Sequence, residues 1–502
     1  MDGWRWLILT FLALQGIGFT NTEYYSSTEQ MIDLIALDKE LQIKFELYIY
    51  KELEHVQALF RVLRHVKNTI PAISETFISN PLTAYKFIEM LINKWNLIEE
   101  HISQSPSLEF IEYLDMAHEM LPDEEDLFGV ALGLFRVQEI YNLYPEDVIR
   151  KMSAATQLST DDAVLMSKVA YRNKNYKIAY MWLNETFKRL EKGDAAEVEV
   201  FELARLLASS SFIQGHVQLA IDATKLILEH DQHNEAAWFQ QLEYRIHQIT
   251  HEADPKVDPR EPSNQSYQAM CRWEANRLSP QRQKMLFCRY SNGGGNPHLI
   301  YSPMKEEDEW DNPRIIRYHN FITDKEIDHL KKVAKSKLQR SETSPNIISN
   351  IRVSKSAFLS EEDQGVYDVT RRIEDVTGLD METAEPLQVA NYGIGGHYSP
   401  HLDLLSKEEE EIRHGNRMAT FQIYMSDVEL GGATVFPTIG ATLKIQKGSA
   451  VLWYNLLYSG EHDVRSLHAG CPVYLGNKWI ATKWIHGYGQ EFRRRCSLSE
   501  LD

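Results

Sequence analysis

A histidine and an aspartate two residues apart, His401 and Asp403, are the first feature of this sequence that could do chemistry. In an extended strand, residues i and i+2 point to the same face, so this imidazole and carboxylate converge. A second histidine would complete the set of two histidines and one carboxylate that binds non-haem iron(II). His468 is the best candidate, because it stands just before a later strand-like stretch. His397 is a rival ligand, although a surface or supporting histidine is its more ordinary interpretation.

Lys478 strengthens this interpretation. It follows the turn-like residues 475–477 and opens a stretch rich in aromatic and β-branched residues, which predicts a buried strand. A buried ammonium group needs an anion close by. The distal carboxylate of 2-oxoglutarate, a co-substrate of iron oxygenases, would supply that anion.

These residues lie in three stretches that resemble the catalytic domain of collagen prolyl 4-hydroxylase α subunits: NYGIGGHYSPHLD, NRMATFQIYMSDVELGGATVFP and HAGCPVYLGNKWIATKW. The ending GQEFRRRCSLSELD is also similar, and the likeness covers nearly the whole chain. The resemblance implies that His401, Asp403 and His468 bind Fe(II) and that Lys478 pairs with the C5 carboxylate of 2-oxoglutarate. It also implies that Tyr392 and Thr434 assist that carboxylate; the alternative is that these two side chains only pack in the barrel.

The activity that the resemblance implies is 4-hydroxylation of peptidyl proline in collagen-like (X-Pro-Gly) chains. The reaction would use Fe(II), 2-oxoglutarate and dioxygen and release succinate and carbon dioxide, with L-ascorbate rescuing oxidised iron. Two alternatives stay open. The same chemistry could act on a non-collagen protein of the secretory pathway, or the chain could be an inactive peptide-binding scaffold.

The segments that must position these residues predict an α+β multidomain chain. Short strands bounded by Gly, Pro and Asn after residue 315 favour a C-terminal double-stranded β-helix (jelly-roll) dioxygenase domain. Examples are the stretches 351–354, 387–392, 419–425, 449–454 and 478–484, with a helix near 323–337 ahead of them. The expected divisions are a signal peptide over 1–20, an N-terminal helical association domain over 21–140, a tetratricopeptide-like domain over 141–245, a linker over 246–312 and the catalytic domain over 313–502.

Residues 31–66 carry a long amphipathic helical pattern in the all-α N-terminal region. Ile49, Val56 and Leu63 recur at seven-residue spacing. Such a stripe fits either one helix of a bundle or a seam for self-association, and the pattern does not decide between them.

Helix pairs between residues 140 and 245 predict the tetratricopeptide-like peptide-substrate-binding domain. The sequence Ser159-Thr160-Asp161-Asp162 is a strong helix N-cap signal. By resemblance, Tyr171, Tyr176 and Tyr180 could line a groove for proline-rich or procollagen peptides, the other possibility being that they are core residues. Related chains tend to carry Tyr at the positions of Lys177, Leu206, Ser209 and Phe212, so weak or altered binding of poly-proline is expected.

The cellular compartment and the partners of the chain are predicted from its N-terminal apolar run, its net charge, its ending and the family resemblance. The apolar run from Trp6 to about Phe19 suits a signal peptide, and no other stretch is long enough to span a membrane. A net charge of -19 argues against nucleic acid as a partner. The ending lacks a Lys-Asp-Glu-Leu retention signal. The resemblance implies residence in the endoplasmic reticulum lumen with protein disulfide isomerase, as a heterotetramer with two copies of each chain.

The four cysteines, Cys271, Cys288, Cys471 and Cys496, suggest two disulfides in a secretory chain. Three pairings are possible, and pairing sequence neighbours closes the shortest loops. Asn184 and Asn264 open triplets of the type that accepts N-linked glycans.

Overall fold

The structure is a computed structural model of the 502-residue chain. It describes residues 23–51, 78–102, 108–152, 158–250, 266–274, 278–343, 347–407, 415–495 and 497. These residues form two compact units: the first takes its described residues from Met1–Ser79, Glu99–Leu121 and Gln265–Asp502, and the second from Asn80–Ile98 and Pro122–Asn264. The predicted signal peptide, 1–20, lies outside the described residues.

Fifteen strands of the described residues belong to the first unit. They are β1 (Cys288–Ser291), β2 (Met304–Asp311), β3 (Arg314–His319), β4 (Gln339–Arg340), β5 (Lys355–Leu359), β6 (Leu387–Tyr392), β7 (Tyr398–His401), β8 (Arg417–Tyr424), β9 (Leu430–Gly431), β10 (Thr434–Phe436), β11 (Ala441–Leu443), β12 (Ala450–Tyr454), β13 (His468–Gly470), β14 (Val473–Leu475) and β15 (Lys478–His486).

The helices of the described residues are α1 (Thr28–Lys51), α2 (Pro81–Ile102), α3 (Leu108–His118), α4 (Glu124–Tyr141), α5 (Pro145–Met152), α6 (Thr160–Arg172), α7 (Tyr176–Glu191), α8 (Val200–Ile213), α9 (Val217–His230), α10 (Glu235–Thr250), α11 (Ser266–Cys271), α12 (Pro280–Gln283), α13 (Pro297–Ile300), α14 (Asp324–Lys335) and α15 (Gln364–Thr377). Among the described residues, none of these helices is both long and apolar enough to cross a membrane.

The strands form a large antiparallel sheet and a smaller one. The large sheet has nine strands in the order β1-β2-β3-β12-β8-β15-β6-β5-β4, and the small one has the order β11-β10-β13-β7. Strands β14 and β9 form a separate pair. Two antiparallel sheets with these crossovers form the predicted double-stranded β-helix, which confirms the α+β fold class.

Each face of the large sheet has its own apolar cluster, because successive side chains of a strand point to opposite faces. One cluster joins Phe421 and Trp479 to buried residues of α14 and α15, such as Leu330 and Ile373. The other joins large-sheet residues such as Ile480 to Phe436 of the small sheet. The helices therefore cover one face, and the small sheet covers the face that holds the candidate site.

The second unit is a series of antiparallel helix pairs, α6 with α7 and α8 with α9, followed by α10. The predicted N-cap is confirmed: Ser159 and Asp162 form a capping box at the start of α6. Small residues such as Ala179 and Ala220 are fully buried in the second helix of each pair, which allows close helix packing. This confirms the tetratricopeptide-like arrangement.

Helix α1 belongs to the first unit, where Phe45 packs on Phe110 of α3 with ring centroids 5.7 Å apart. Ile49 is buried, as a bundle helix requires. Val56 and Leu63 lie outside the described residues, so the choice between bundle helix and self-association seam stays open for that part of the stripe.

Two expectations about local structure differ from the fold. The segment 246–312 contains β1 and β2 of the large sheet, where little regular structure was expected. Apolar alternation is missing there because Arg289 and Arg314 bind Glu306 across the strands, so ion pairs replace an apolar face. Residues 351–354 form a bridge and turn, and the strand begins at Lys355 instead.

Cys271 is bonded to Cys471 across a sequence separation of 200, so the pairing of sequence neighbours that would close the shortest loops is not the one formed. Their Cα atoms lie 5.6 Å apart because α11 packs beside β10 and β11. Cys288 is exposed on β1 and pairs with no cysteine of the described residues; Cys496 lies outside them.

The two glycosylation triplets remain predictions. Asn184 lies on α7 and is half-buried, and Thr186 of the same triplet is fully buried, with its hydroxyl donating to the Trp182 carbonyl at 2.9 Å. Asn264 lies outside the described residues.

Candidate active site

Three side chains that could hold a metal meet where β7 pairs with β13. His401 stands directly opposite His468 in this antiparallel pair, and their ring centroids are 4.3 Å apart. Strand β7 ends at His401, yet the Asp403 carboxylate still turns back toward both rings. Its oxygens lie 3.4 Å from Nε2 of His401 and 3.6 Å from Nε2 of His468. No other such group of three occurs among the described residues.

Both imidazoles are oriented by main-chain carbonyl groups. Nδ1 of His401 lies 2.8 Å from the Ser399 carbonyl, and Nδ1 of His468 lies 3.0 Å from the Ser466 carbonyl. A carbonyl only accepts, so each Nδ1 carries the proton and each Nε2 presents a lone pair to the shared centre. Burial lowers the pKa of His468 to about 4, despite the opposing effect of Asp403, which keeps this ring neutral. Neutral imidazole is the form that binds a metal.

Asp403 is buried and ionised. Burial alone raises its pKa, but the neighbouring His468 and His401 outweigh burial and hold the pKa well below its ordinary value. The Thr420 hydroxyl donates to Oδ2 of Asp403 at 2.8 Å and accepts from the Asn455 side-chain amide at 2.9 Å. These hydrogen bonds fix the carboxylate, with Oδ1 directed to His401 and Oδ2 directed to His468. One carboxylate and two imidazoles, converging with open space beside them, suit a divalent iron ion.

Lys478 is almost completely buried, with 1% of its surface exposed. Its ammonium donates to the Gly432 carbonyl at 2.7 Å and lies 4.6 Å from the centre of the Tyr392 ring. No carboxylate among the described residues forms an ion pair with it, and burial lowers its pKa to about 7. A buried ammonium held only by a carbonyl and a ring face is placed to receive an anionic ligand.

Thr434 and Tyr392 line the same pocket as Lys478 and the candidate metal ligands His401, Asp403 and His468. Their predicted role, assistance of the C5 carboxylate, stays a prediction. The Thr434 hydroxyl oxygen accepts from the Gln422 amide at 3.1 Å and from the Tyr424 hydroxyl at 3.0 Å. Burial raises the pKa of Tyr392 to about 12, so its phenol stays protonated and can donate a hydrogen bond.

The pocket has about 460 Å³ of space, its mouth included, and it contains polar residues that the sequence reasoning missed. Thr420 and Gln422 line it from alternate positions of β8, and Gln388 lines it from β6. The signal was present in the sequence: buried polar residues at every second position of an otherwise apolar strand mark the face that lines a site.

Part of the pocket lining is aromatic and cationic. The Tyr398 ring stacks on His401 with centroids 3.5 Å apart, and the Arg352 guanidinium lies 4.9 Å from the Tyr398 ring centre. Trp484 also lines the pocket. These residues offer flat apolar faces and hydrogen-bond donors to a ligand that enters from outside.

Comparison with known proteins accounts for all three regions. Residues 27–153 match "Prolyl 4-Hydroxylase alpha-subunit, N-terminal region", 160–245 match "Prolyl 4-hydroxylase peptide-substrate-binding domain", and 387–486 match the 2OG-Fe(II) oxygenase superfamily. The chain is 38% identical over 533 residues to prolyl 4-hydroxylase subunit alpha-1 of Homo sapiens, covering 99% of this chain and 100% of that one. The chain belongs to the prolyl 4-hydroxylase alpha-subunit family. Subunit alpha-2 of Caenorhabditis elegans is 32% identical over 514 residues, covering 96% of this chain and 95% of that one.

As a prolyl 4-hydroxylase alpha subunit, the chain carries an oxygenase domain of the class that uses Fe(II) and 2-oxoglutarate. The buried donor set described above fits that metal, and the pocket that contains Lys478 fits a small dicarboxylate. The ligand roles of the individual side chains stay predictions.

His397 and Trp453 also lie in this part of the barrel. His397 is buried but falls outside the metal-binding group; its Nε2 lies 3.3 Å from the Ser399 hydroxyl. Trp453 packs edge-on against His468, with centroids 4.8 Å apart, which makes it a wall of the site.

The predicted peptide-binding tyrosines are half-buried on the second unit. The Tyr171 and Tyr176 rings meet edge to face at 5.5 Å, and the Tyr180 ring stacks on His216 at 4.6 Å. Half-buried Phe212 stacks on Tyr244 at 4.3 Å, and Tyr244, which the sequence reasoning did not name, is buried. Aromatic surface is therefore present, although its use for a peptide stays a prediction.

Proposed function

We propose that this chain hydroxylates C4 of prolyl residues in collagen-like peptides with Fe(II), 2-oxoglutarate and dioxygen. The observation that carries the proposal is the pairing of two features in one pocket: the convergent cluster of His401, Asp403 and His468, and the buried ammonium of Lys478 with no carboxylate partner among the described residues. Iron(II) in this site, when bound, supplies the coupled oxidation of 2-oxoglutarate to succinate and carbon dioxide and of the prolyl C4–H bond to an alcohol.

The protein's own contribution at the metal is orientation. His401 and His468 present Nε2, because their Nδ1 protons are donated to carbonyl groups. Asp403 presents one oxygen while Thr420 binds the other. Hydrogen bonds to the remote atoms of metal ligands fix their geometry and raise metal affinity, typically by about 10–100-fold.

The contribution at the co-substrate is charge recognition. Lys478 binds the C5 carboxylate of 2-oxoglutarate, and Tyr392 and Thr434 donate hydrogen bonds to the same group. Thr434 can do so because its oxygen already accepts from Gln422 and Tyr424, so its own proton is available for a ligand. The low exposure of this end of the pocket excludes water and strengthens the ion pair.

The substrate peptide enters the pocket beside Tyr398, Arg352 and Trp484, and it places C4 of its proline next to the iron. The second unit binds a further stretch of a proline-rich chain, where Tyr171, Tyr176 and Tyr180 offer ring faces to prolyl groups. An extended polyproline II chain loses little conformational entropy on such a surface.

We further propose that the chain works in the lumen of the endoplasmic reticulum, in a heterotetramer of two such chains and two protein disulfide isomerase chains, with ascorbate restoring oxidised iron. The Cys271–Cys471 disulfide supports an oxidising compartment.

The test is turnover of a (Pro-Pro-Gly)-type peptide by the full chain co-produced with protein disulfide isomerase. Succinate and 4-hydroxyproline are expected in equal amounts. His401→Ala is expected to abolish both products, whereas His397→Gln keeps them. Succinate formation that depends on some other secretory peptide, without hydroxylation of this one, would favour a non-collagen substrate. If no peptide gives succinate, the result would favour the alternative that the chain is an inactive peptide-binding scaffold.

A further inference from the structure

The N-terminal docking segment, residues 23–33, lies directly against the catalytic sheet of the first unit. Ser26, Ser27 and Thr28 have at most 1% of their surface exposed, although they are small polar residues near the start of the described chain. The Thr28 hydroxyl donates to the Tyr392 carbonyl at 3.0 Å. Salt bridges hold the flanks of the segment: Glu23 with Arg340 at 2.7 Å, and Asp33 with Lys335 at 2.6 Å.

Asn391 of β6 connects this segment to the strand that carries Lys478. Its side-chain oxygen accepts from the Ser27 hydroxyl at 2.8 Å and from the Glu29 main-chain N–H at 3.0 Å. Its side-chain nitrogen donates to the Asn477 side-chain oxygen at 2.7 Å and to the Lys478 carbonyl at 3.2 Å. All four hydrogen-bonding positions of this fully buried amide are therefore used.

Strand alternation places the two functions back to back. Tyr392 pairs with Lys478 and Asn391 pairs with Trp479 in the β6–β15 ladder. Tyr392 and Lys478 line the pocket. The adjacent residues of the two strands, Asn391 and Trp479, therefore face the other side, where the docking segment lies. The segment is thus separated from the co-substrate end of the pocket by one layer of backbone.

Gly393 shows how closely the segment approaches. A Cβ atom built on Gly393 would lie 2.0 Å from the Tyr25 carbonyl oxygen and 2.7 Å from the Ser26 carbonyl carbon. Only a residue without a side chain allows the two backbones to meet here. The contact is with main-chain atoms, so a side chain at 393 would displace the segment itself.

We propose that Asn391 is a positioning residue through which the docking segment sets the place of the Lys478 ammonium and so the affinity for 2-oxoglutarate. The inference rests on the proposed binding of the C5 carboxylate by Lys478. It assigns to the N-terminal segment a part in co-substrate binding that is separate from peptide binding and from association between chains. A shift of about 1 Å at a charge-assisted contact weakens binding markedly, because both distance and alignment are lost.

The experiment compares Asn391→Ala, Ser27→Ala and Asp33→Asn in the full chain. Calorimetric titration of 2-oxoglutarate into each Mn(II)-loaded protein gives its dissociation constant without turnover, and kinetics give KM and kcat for the iron enzyme. We expect Asn391→Ala to raise the dissociation constant and KM for 2-oxoglutarate about tenfold, with kcat at saturation within about twofold of wild type. Ser27→Ala, which removes one of the four hydrogen bonds, is expected to raise both about threefold. Asp33→Asn, which weakens the outer Asp33–Lys335 pair and leaves the Glu29–Lys335 pair in place, is the control and leaves both unchanged.

A merely structural role would lower the yield or Tm of Asn391→Ala and leave the dissociation constant of the folded protein unchanged, which would overturn the proposal. If Asn391→Ala fails to fold, Ser27→Ala decides: unchanged 2-oxoglutarate affinity in that variant overturns it equally. Lys478→Met, titrated in parallel, distinguishes failure of the positioning role of Asn391 from failure of the proposed role of Lys478. Loss of affinity in Lys478→Met but not in Asn391→Ala or Ser27→Ala refutes only the positioning role, whereas unchanged affinity in Lys478→Met refutes the proposed role of the lysine.

Discussion

Lys478 stands directly opposite Tyr392 in the β6–β15 ladder, and its ammonium lies 4.6 Å from the centre of the Tyr392 ring. Tyr392 gives the buried ammonium a ring face, and Gly432 gives it a main-chain carbonyl. Neither group neutralises the charge. The lysine is therefore prepared for an anion that the described part of the chain does not provide. This relationship leads to the first two predictions.

Replacing Lys478 by Met should abolish tight binding of 2-oxoglutarate. Removing one partner of a buried charge pair costs about 2–5 kcal/mol, which predicts a rise in KM of roughly 30-fold or more. The fold should be as stable as wild type or more so, because a desolvated charge is removed. Lys483→Met is the matched control: it lies on the same strand, pairs with Glu361 and does not line the pocket. An unchanged KM in Lys478→Met would contradict the prediction.

Affinity for 2-oxoglutarate should fall as pH rises above 7. Burial lowers the pKa of Lys478 to about 7, so the free enzyme progressively loses the ammonium above that pH. Binding of the carboxylate requires the charged form, which predicts a KM that increases by up to about tenfold per pH unit. KM measured from pH 6.5 to 8.5 tests this, with Lys478→Met expected to lack the trend. A wild-type KM that stays flat to pH 8.5 would show that the lysine remains charged.

Thr420→Val should weaken metal binding. The substitution keeps the shape of the side chain but removes the hydrogen bond to Oδ2 of Asp403. Loss of such support typically lowers metal affinity by about 10–100-fold. The measurement is the Fe(II) concentration needed for half-maximal activity, with Thr442→Val on half-exposed β11 as the control. Equal iron requirements in wild type and Thr420→Val would show that the hydrogen bond from Thr420 to Asp403 does not raise the affinity for iron.

The Cys271–Cys471 disulfide should appear directly in peptide maps of the unreduced protein. It ties α11 to the residue that follows β13, the strand that carries His468. Cys271→Ser, Cys471→Ser and the double variant are expected to destabilise the first unit equally, by about 2–5 kcal/mol, because all three remove one cross-link. Cys288→Ser should change Tm little. Linkage of Cys271 to Cys288 in the maps would refute this connectivity.

Poly-proline should be a weak competitor of the peptide substrate. Each prolyl group gains by stacking on a ring face, and three positions where related chains tend to carry Tyr hold Lys177, Leu206 and Ser209 here. Ser209 is half-exposed on α8, so Ser209→Tyr should improve inhibition about three- to fivefold, whereas Ser209→Ala should not. Strong inhibition of the wild-type chain by poly-proline would contradict this.

The fold class, three of the candidate site residues and one helix cap could be predicted from sequence because each has a local signal. His401 and Asp403 share a two-residue spacing, Lys478 opens a strand that is otherwise apolar, and Ser159 caps its helix with a recognisable box. Strand boundaries near 387, 450 and 478 also follow from composition, since buried strands concentrate β-branched and aromatic residues.

The remaining features depend on contacts between distant segments. Ser27 contacts Asn391 across a separation of 364 residues, and Cys271 contacts Cys471 across a separation of 200. Strands β1 and β2 were missed because Arg289 and Arg314 bind acidic partners across them, so no apolar face shows in the sequence. Thr420 and Gln422 could have been predicted as pocket residues, because polar residues at every second position of a buried strand indicate the face that lines a site.

The most direct measurement of the central claim is mass spectrometry of both products after turnover in isotope-labelled dioxygen. A site that couples 2-oxoglutarate oxidation to prolyl hydroxylation puts one labelled atom in succinate and one in the 4-hydroxyproline of a (Pro-Pro-Gly)-type peptide. Both labels should disappear in His401→Ala and persist in His397→Gln. Unlabelled hydroxyproline, or labelled product in His401→Ala, would contradict the assignment of the iron site.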